Sequence, residues 1–408
     1  MTTKTAGTLQ GIILILPITL TVMGAVLLAP IMPKLMDAFG HIDGANYLVP
    51  MLISIPALCI AIGAPFAGWL ADNIGRRRLL IWSMGLYSLC GLLPLIIDSY
   101  WPLLISRIGV GLCEAIVITC STTLIGDFFT GDQRDKWLGS QAAMASLSAM
   151  CLFPLAGFLG SQYGWKGPFA IYGIALIMMA GVIFFTWEIG KKEGHKHDLA
   201  DHSANNNAPS VFPWSHMLKV CGFTLVGGVM FYILQFQLST ALATFDINDP
   251  GKAGLMLAIA SIGVPVGAIA YRYAHHHLSI RYLIMLEFGI LALGFFGMSQ
   301  STTPEMLIVT GFINQFGAGL LLPTMLTWAV SKLEFTVRGR GTGMWQSTFA
   351  VGQFASTISF AFVLGQVGEG QFLQAFQTFA VVALVMCFIT IFFVQNSRVQ
   401  SVDGVSSH

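Results

Sequence analysis

The chain has 408 residues, of which 55% are hydrophobic and 10% charged, with a formal net charge of +1. Soluble domains carry roughly 25% charged residues, and 20 Lys and Arg with 19 Asp and Glu cannot cover a water-facing surface of this size. Lipid is therefore the solvent for most of the surface, and the near-neutral charge, without a basic arm or acidic tail, excludes a nucleic-acid partner.

Crossing a bilayer core about 30 Å thick takes roughly 20 apolar residues. Cut at its polar breaks, the first half gives predicted helices at 9–33, 46–70, 78–98, 101–129, 137–160 and 168–189. The opening run, Leu9 to Pro33, exceeds the roughly 7–15 residues of a signal-peptide core and reads as a retained helix ended by Pro30 and Pro33. A hydrophilic segment at 190–214 follows, then predicted helices at 216–242, 252–272, 281–299, 303–330, 340–366 and 371–396. The expected organisation is an N-terminal six-helix bundle (1–189), a cytoplasmic linker (190–214) and a C-terminal six-helix bundle with a short cytoplasmic tail (215–408). Of the Lys and Arg residues, only Lys34, Lys166 and Lys252 fall in segments that would face outward, and Arg107 lies within a helix. By the positive-inside rule both termini are expected in the cytoplasm.

The halves repeat. Arg134 and Gly139 open the fifth helix with the spacing by which Arg338 and Gly343 open the eleventh. Gly109 and Gly111 in the fourth helix match Gly317 and Gly319 in the tenth, and Pro102 and Pro304 introduce those two helices. Internal repeats around a midplane site are a usual build of secondary transporters. All seven cysteines fall inside apolar runs and read as packing residues, with no metal-ligand spacing. No phosphate-binding loop and no nucleophile-plus-base constellation appears, so neither an ATP-driven pump nor an enzyme is expected.

The sharpest local signal joins the second and third helices, running from Gly68 through Asp72, Asn73 and Gly75 to Arg76, Arg77 and Arg78. Gly75 permits a positive φ, the arginines anchor at phosphate level, and Asp72 can accept their hydrogen bonds. This stretch resembles the loop signature of the Major Facilitator Superfamily, G-x-L-a-D-r-x-G-r-[rk]-x, with Asn73 at a position often basic. The resemblance spans the chain. It implies an all-α membrane protein with twelve transmembrane helices in two pseudo-symmetric bundles and transport by alternating access. It also implies a conformational latch of Gly68, Asp72, Gly75, Arg76 and Asp127, with Asp72 facing the eleventh helix near Gly341 and Thr342. The corresponding loop of the second half, Tyr271 to Arg281 with His275, His276 and His277, lacks the acid; the His triplet reads as a solvated turn rather than a metal site.

Within the membrane, the sequence reading assigns the only deep charges to the fourth helix: Glu114 at its middle and Arg107 two turns away on the same face. Intramembrane charges normally face a cavity or a pathway, so Glu114 and Arg107 are the expected proton-coupling pair, and Arg107 is also a candidate anion site. Tyr232, Gln235, Asn314, Gln315 and Gln353 are the expected further cavity residues, with Gln141 and Gln346 as additional candidates. A cavity with few charges suits amphipathic organic molecules.

The fourth helix is similar to the l-x-x-x-R-x-x-q-G motif of proton-coupled drug antiporters through Leu103, Arg107 and Gly111, with Val110 in place of Gln. It also resembles spinster-type transporters, R-x-x-x-G-x-G-E-A, with Cys113 departing. The drug-antiporter motif of the fifth helix survives only as Ala149, Phe153–Pro154 and Gly157–Phe158. The resulting expectation is proton-coupled efflux of a lipophilic or weakly anionic small molecule, by a monomer in the inner membrane that uses a proton gradient and no cofactor. The alternatives are uptake symport of an organic anion, spinster-like lysolipid transport, or a membrane sensor that binds without transporting.

Overall fold

The computed structural model describes residues 6–188 and 212–394; most of the predicted linker and the C-terminal tail lie outside the described residues. Every regular element among them is helical. Among the described residues, eleven stretches are long and apolar enough to cross a membrane.

We number the helices α1 (Thr8–Phe39), α2 (Ala45–Ile74), α3 (Arg76–Leu92), α4 (Tyr100–Phe128), α5 (Gly131–Tyr163), α6 (Ile174–Phe185), α7 (Trp214–Ala243), α8 (Pro250–His277), α9 (Ile280–Ser299), α10 (Pro304–Val330), α11 (Phe335–Val367) and α12 (Phe372–Phe393). One of the eleven stretches, Gly131–Phe185, holds both α5 and α6. The predicted start of α6 at 168 falls in the middle of a 3₁₀ run, Gly164–Gly173, with Pro168 inside it, and the α-helix begins at Ile174.

α1 also departs from its prediction. It does not end at Pro33 but continues to Phe39 through a 3₁₀ turn, Ala29–Ile31. Pro30 and Pro33 each stand in the first two positions of a new helical piece. There a missing N–H breaks no helical bond.

Two compact units form: Met1–Pro209 with Asp249–Leu255, and Ser210–Asn248 with Met256–His408. The start of α8 thus belongs to the first unit, where Gly157 and Gly254 bring α5 and α8 together backbone to backbone. Inside each unit the same pairings recur. α2, α3 and α1 pack on α4 as α8, α9 and α7 pack on α10, and α1 meets α5 as α7 meets α11.

The repeated glycines make this possible. A β-carbon on Gly111 would come within 2.5 Å of the Pro56 Cα of α2, and one on Gly319 would collide with the Val264 backbone of α8. On the neighbouring turn, Gly109 faces Cys90 of α3 and Gly317 faces Ile290 of α9. Without a hydrophobic force between helices in lipid, such close approach is what holds them together.

Candidate functional site

The centre of the first unit is built around Gly24 of α1. Arg107 of α4 is 0% exposed, and its guanidinium makes three hydrogen bonds to neighbouring segments. Nε donates to the Leu52 carbonyl of α2 at 3.0 Å, Nη2 donates to the Gly24 carbonyl at 2.7 Å, and Nη1 donates to the Tyr172 hydroxyl. The Arg107 carbon centre lies 5.7 Å from the centroid of the Tyr172 ring.

Two turns along α4, Glu114 is 1% exposed and lies against the same glycine, so close that a β-carbon on Gly24 would collide with its carboxylate. Seven residues at about 1.5 Å rise separate the two side chains along the helix. Both nevertheless converge on one residue of α1. No ion pair joins them within 4.0 Å among the described residues. Glu114 Oε1 has no hydrogen-bond partner. The Tyr87 hydroxyl of α3 lies beside the carboxyl but donates to the Leu20 carbonyl of α1 at 2.6 Å. The site is therefore a buried cation held by two carbonyls and a phenol, next to a buried acid with an open oxygen.

The polar residues expected around a cavity in the second unit form a chain. Gln235 Nε2 of α7 donates to Gln315 Oε1 of α10 at 3.2 Å, and Gln315 Nε2 reaches both the Phe231 carbonyl and Asn314 Oδ1 at 3.4 Å. Asn314 Nδ2 in turn reaches the Leu291 carbonyl of α9 at 3.4 Å. Asn314 and Gln315 are fully buried, whereas Gln235, Tyr232 and Gln353 are half-buried. Tyr232 sits in an aromatic cluster with Phe231, Phe236 and Phe349. Gln141 is held in the first unit by Ser121 and Thr122, and Gln346 is exposed.

At the loop between α2 and α3, Arg76 pairs with Asp127 of α4 at 2.5 Å and with Asp72 at 3.5 Å. Gly75 adopts φ +103°, open to glycine but rarely to other residues. A residue the sequence did not flag completes this corner. The Glu188 carboxylate beyond α6 accepts the backbone N–H groups of Arg77 (3.4 Å) and Arg78 (3.2 Å). A β-carbon on Gly75 would stand 2.7 Å from its Oε1. An acid at a helix N-terminus meets unpaired N–H groups and the positive end of the helix dipole. Arg77 adds side-chain bonds to Thr186 and the Ile183 carbonyl.

Glu287 of α9 corrects the expectation that α4 alone carries deep charges. It is 0% exposed, and one acid in a largely apolar helix of twenty residues left no mark on the hydropathy of that helix. Gly24, Tyr87 and Tyr172 were missed for another reason: their roles exist only once α1, α3 and the 3₁₀ run close on α4.

The sequence profile of the Major Facilitator Superfamily matches residues 14–299. Multidrug resistance protein 2 of Bacillus subtilis is 27% identical over 344 residues, covering 82% of this chain and 83% of that protein. Multidrug resistance protein MdtG of Citrobacter koseri is 26% identical, covering 76% of each chain. Among solved structures, a D-xylose-proton symporter superposes with a TM-score of 0.78 at 13% identity, over 95% of this chain and 98% of that one.

Proposed function

Because the chain belongs to the Major Facilitator Superfamily, and so is a multi-pass membrane transporter and not an enzyme, we propose that it is a proton-coupled exporter of lipophilic or weakly anionic small molecules. The observation that carries the reading is Glu114: a fully buried carboxyl with an unpartnered oxygen, beside a cation that bonds two carbonyls and a phenol and forms no ion pair with it. Such an acid binds a proton at little cost, and its ionised form is destabilised by a dry surrounding. Exchange of that proton is the natural driving step, with the proton gradient as energy source and no cofactor.

Export is favoured by relatives named for multidrug resistance. A lipophilic cargo fits the aromatic cluster around Tyr232 and the few hydrogen-bonding groups beside it, Gln235 and Gln353. Arg107 is 0% exposed and packed between α1, α2 and Tyr172, so an organic anion would have to displace that packing to reach it, which disfavours anion symport. We assign Arg107 to holding α1, α2 and Tyr172 around Glu114. Counting α5 and α6 as separate spans gives twelve, with both termini in the cytoplasm of a bacterial inner membrane and the monomer as the working unit.

The experiment is lumenal pH in proteoliposomes bearing wild type or Glu114→Gln, against lipophilic cations, organic anions and lysolipids. Substrate-dependent proton flux in wild type, lost in the variant, is the expected result. Equal substrate movement and equal proton flux in both would remove Glu114 from the coupling.

A further inference from the structure

The second unit holds a buried acid that the reading above does not use. Glu287 is fully buried, and neither of its carboxyl oxygens has a hydrogen-bond partner. The Thr324 hydroxyl of α10 lies beside it but donates to its own helix, to the Leu320 carbonyl at 2.7 Å.

The glycine register places this residue. Gly109 meets Cys90 and Gly317 meets Ile290, so Glu287, three residues before Ile290, stands where Tyr87 stands three residues before Cys90. In the first unit the α3 position carries a phenol that hydrogen-bonds α1, and the acid is on α4. In the second unit the acid occupies the α9 position itself, and the α10 position matching Glu114 is Leu322.

Among the described residues no cation pairs with it within 4.0 Å. Arg281 on its own helix spends Nε on the Val394 carbonyl. On α8, Tyr271 is within electrostatic reach, whereas Arg272 is exposed and His275 stacks on Tyr271. α10 carries no titratable side chain besides Glu305 in its first turn, and α12 offers only Cys387, whose thiol donates to the Met285 carbonyl. A leucine or a glutamine would fill this volume with no charge to desolvate. An ionised carboxyl there would be a buried charge without a partner, so its protonation depends on what reaches it.

We propose that Glu287 is a second proton-binding carboxyl, which takes up and releases a proton during the transport cycle independently of Glu114. Polar groups continue on either side of it. The Asn314 bond to the Leu291 carbonyl lies one turn of α9 away and leads to Gln315 and Gln235. In the other direction the Tyr271 hydroxyl pairs with Thr327 at 2.7 Å, one turn of α10 beyond Thr324, and Tyr271 leads to His275.

The role in turnover rests on the coupled-transport reading; the proton exchange itself does not. Infrared difference titration of the full chain in nanodiscs reads the C=O stretch of protonated carboxyls as pH is raised, for wild type, Glu114→Gln and Glu287→Gln. Glu287→Gln is expected to remove a titrating band that Glu114→Gln leaves, and in vesicles to lower the protons moved per substrate by one. A wild type without proton flux but with the Glu287 band would sink the coupling and leave the site. A spectrum unchanged by Glu287→Gln overturns the site, whatever the flux. Should that variant fail to accumulate, carbodiimide labelling of wild type decides. Modification of the Glu287 peptide that falls as pH rises supports the exchange, and an unmodified peptide at every pH rejects it.

Discussion

A β-carbon on Gly24 would collide with the Glu114 carboxylate, while the Gly24 carbonyl is already the acceptor for Arg107. One glycine of α1 therefore fixes both charged groups of α4. Gly24→Ala should displace the carboxyl rather than unfold the unit, because a flexible side-chain end can yield where a backbone cannot. Overpacking of this kind costs about 1–3 kcal/mol. The expected outcome is retained expression, a thermal unfolding temperature lowered by a few degrees, and proton coupling reduced at least tenfold in vesicles. Coupling at the wild-type level would mean that the carboxyl position is not critical. Arg107→Lys should be harsher on stability, since an ammonium cannot serve the Leu52 carbonyl, the Gly24 carbonyl and Tyr172 together, and each buried acceptor left unpaired costs about 1–3 kcal/mol. The seven-residue spacing of Arg107 and Glu114 was legible in the sequence, because a helix places such residues on one face. What Arg107 touches was not: its acceptors are backbone carbonyls, which every residue possesses and no sequence distinguishes. Glu287 was legible in principle, an acid seven residues inside a predicted span, and was masked by its apolar neighbours.

At the scale of elements, glycines decide where helices meet and where they stop. The helices themselves were readable from apolar run length, and so was the correspondence of Gly109 and Gly111 with Gly317 and Gly319. The continuation of α1 past Pro33 was not, because whether a proline ends a helix or starts its next piece depends on the backbone before it. At Gly75 two requirements coincide: φ of +103° and room for the Glu188 carboxylate. Gly75→Ala should therefore lose both the turn and the cap on α3. Glu188→Ala should lose the cap alone, a change of roughly 0.5–2 kcal/mol. Thermal unfolding in one detergent ranks the two, and Glu188→Ala destabilising as much as Gly75→Ala would show that backbone strain contributes nothing. The packing glycines give a paired expectation. Gly111→Ala and Gly319→Ala each drive a methyl into the backbone of a neighbouring helix, α2 or α8, and should destabilise by similar amounts.

For the whole molecule, the proposed transport, if it runs by alternating access, requires surfaces that are satisfied in one state and bare in another. The loop between α2 and α3 separates two kinds of residue on this ground. Arg76 and Asp127 form a close, largely shielded pair at 2.5 Å, with the Asp127 side chain 16% exposed. Asp72 is 68% exposed at the side chain and reaches the same arginine only at 3.5 Å. One turn earlier on α2, no atom beyond the neighbouring residues and backbone of its own helix approaches within 4 Å of the place a β-carbon of Gly68 would take. The first unit's own packing thus demands neither Gly68 nor Asp72. An exposed helical ion pair of this kind contributes about 0–1 kcal/mol, so Asp72→Asn should leave the unfolding temperature nearly unchanged. Its use is expected in the interconversion of states, where a carboxylate gains from facing a helix N-terminus. Asp72→Asn and Gly68→Leu should then slow turnover about tenfold while substrate binding at equilibrium stays within twofold. Asp127→Asn should lower stability and turnover together. Single-turnover efflux beside equilibrium binding and thermal unfolding separates these cases. If Asp72→Asn lowered the unfolding temperature as much as Asp127→Asn does, both acids would belong to the static framework of the first unit and the latch would have to be sought elsewhere.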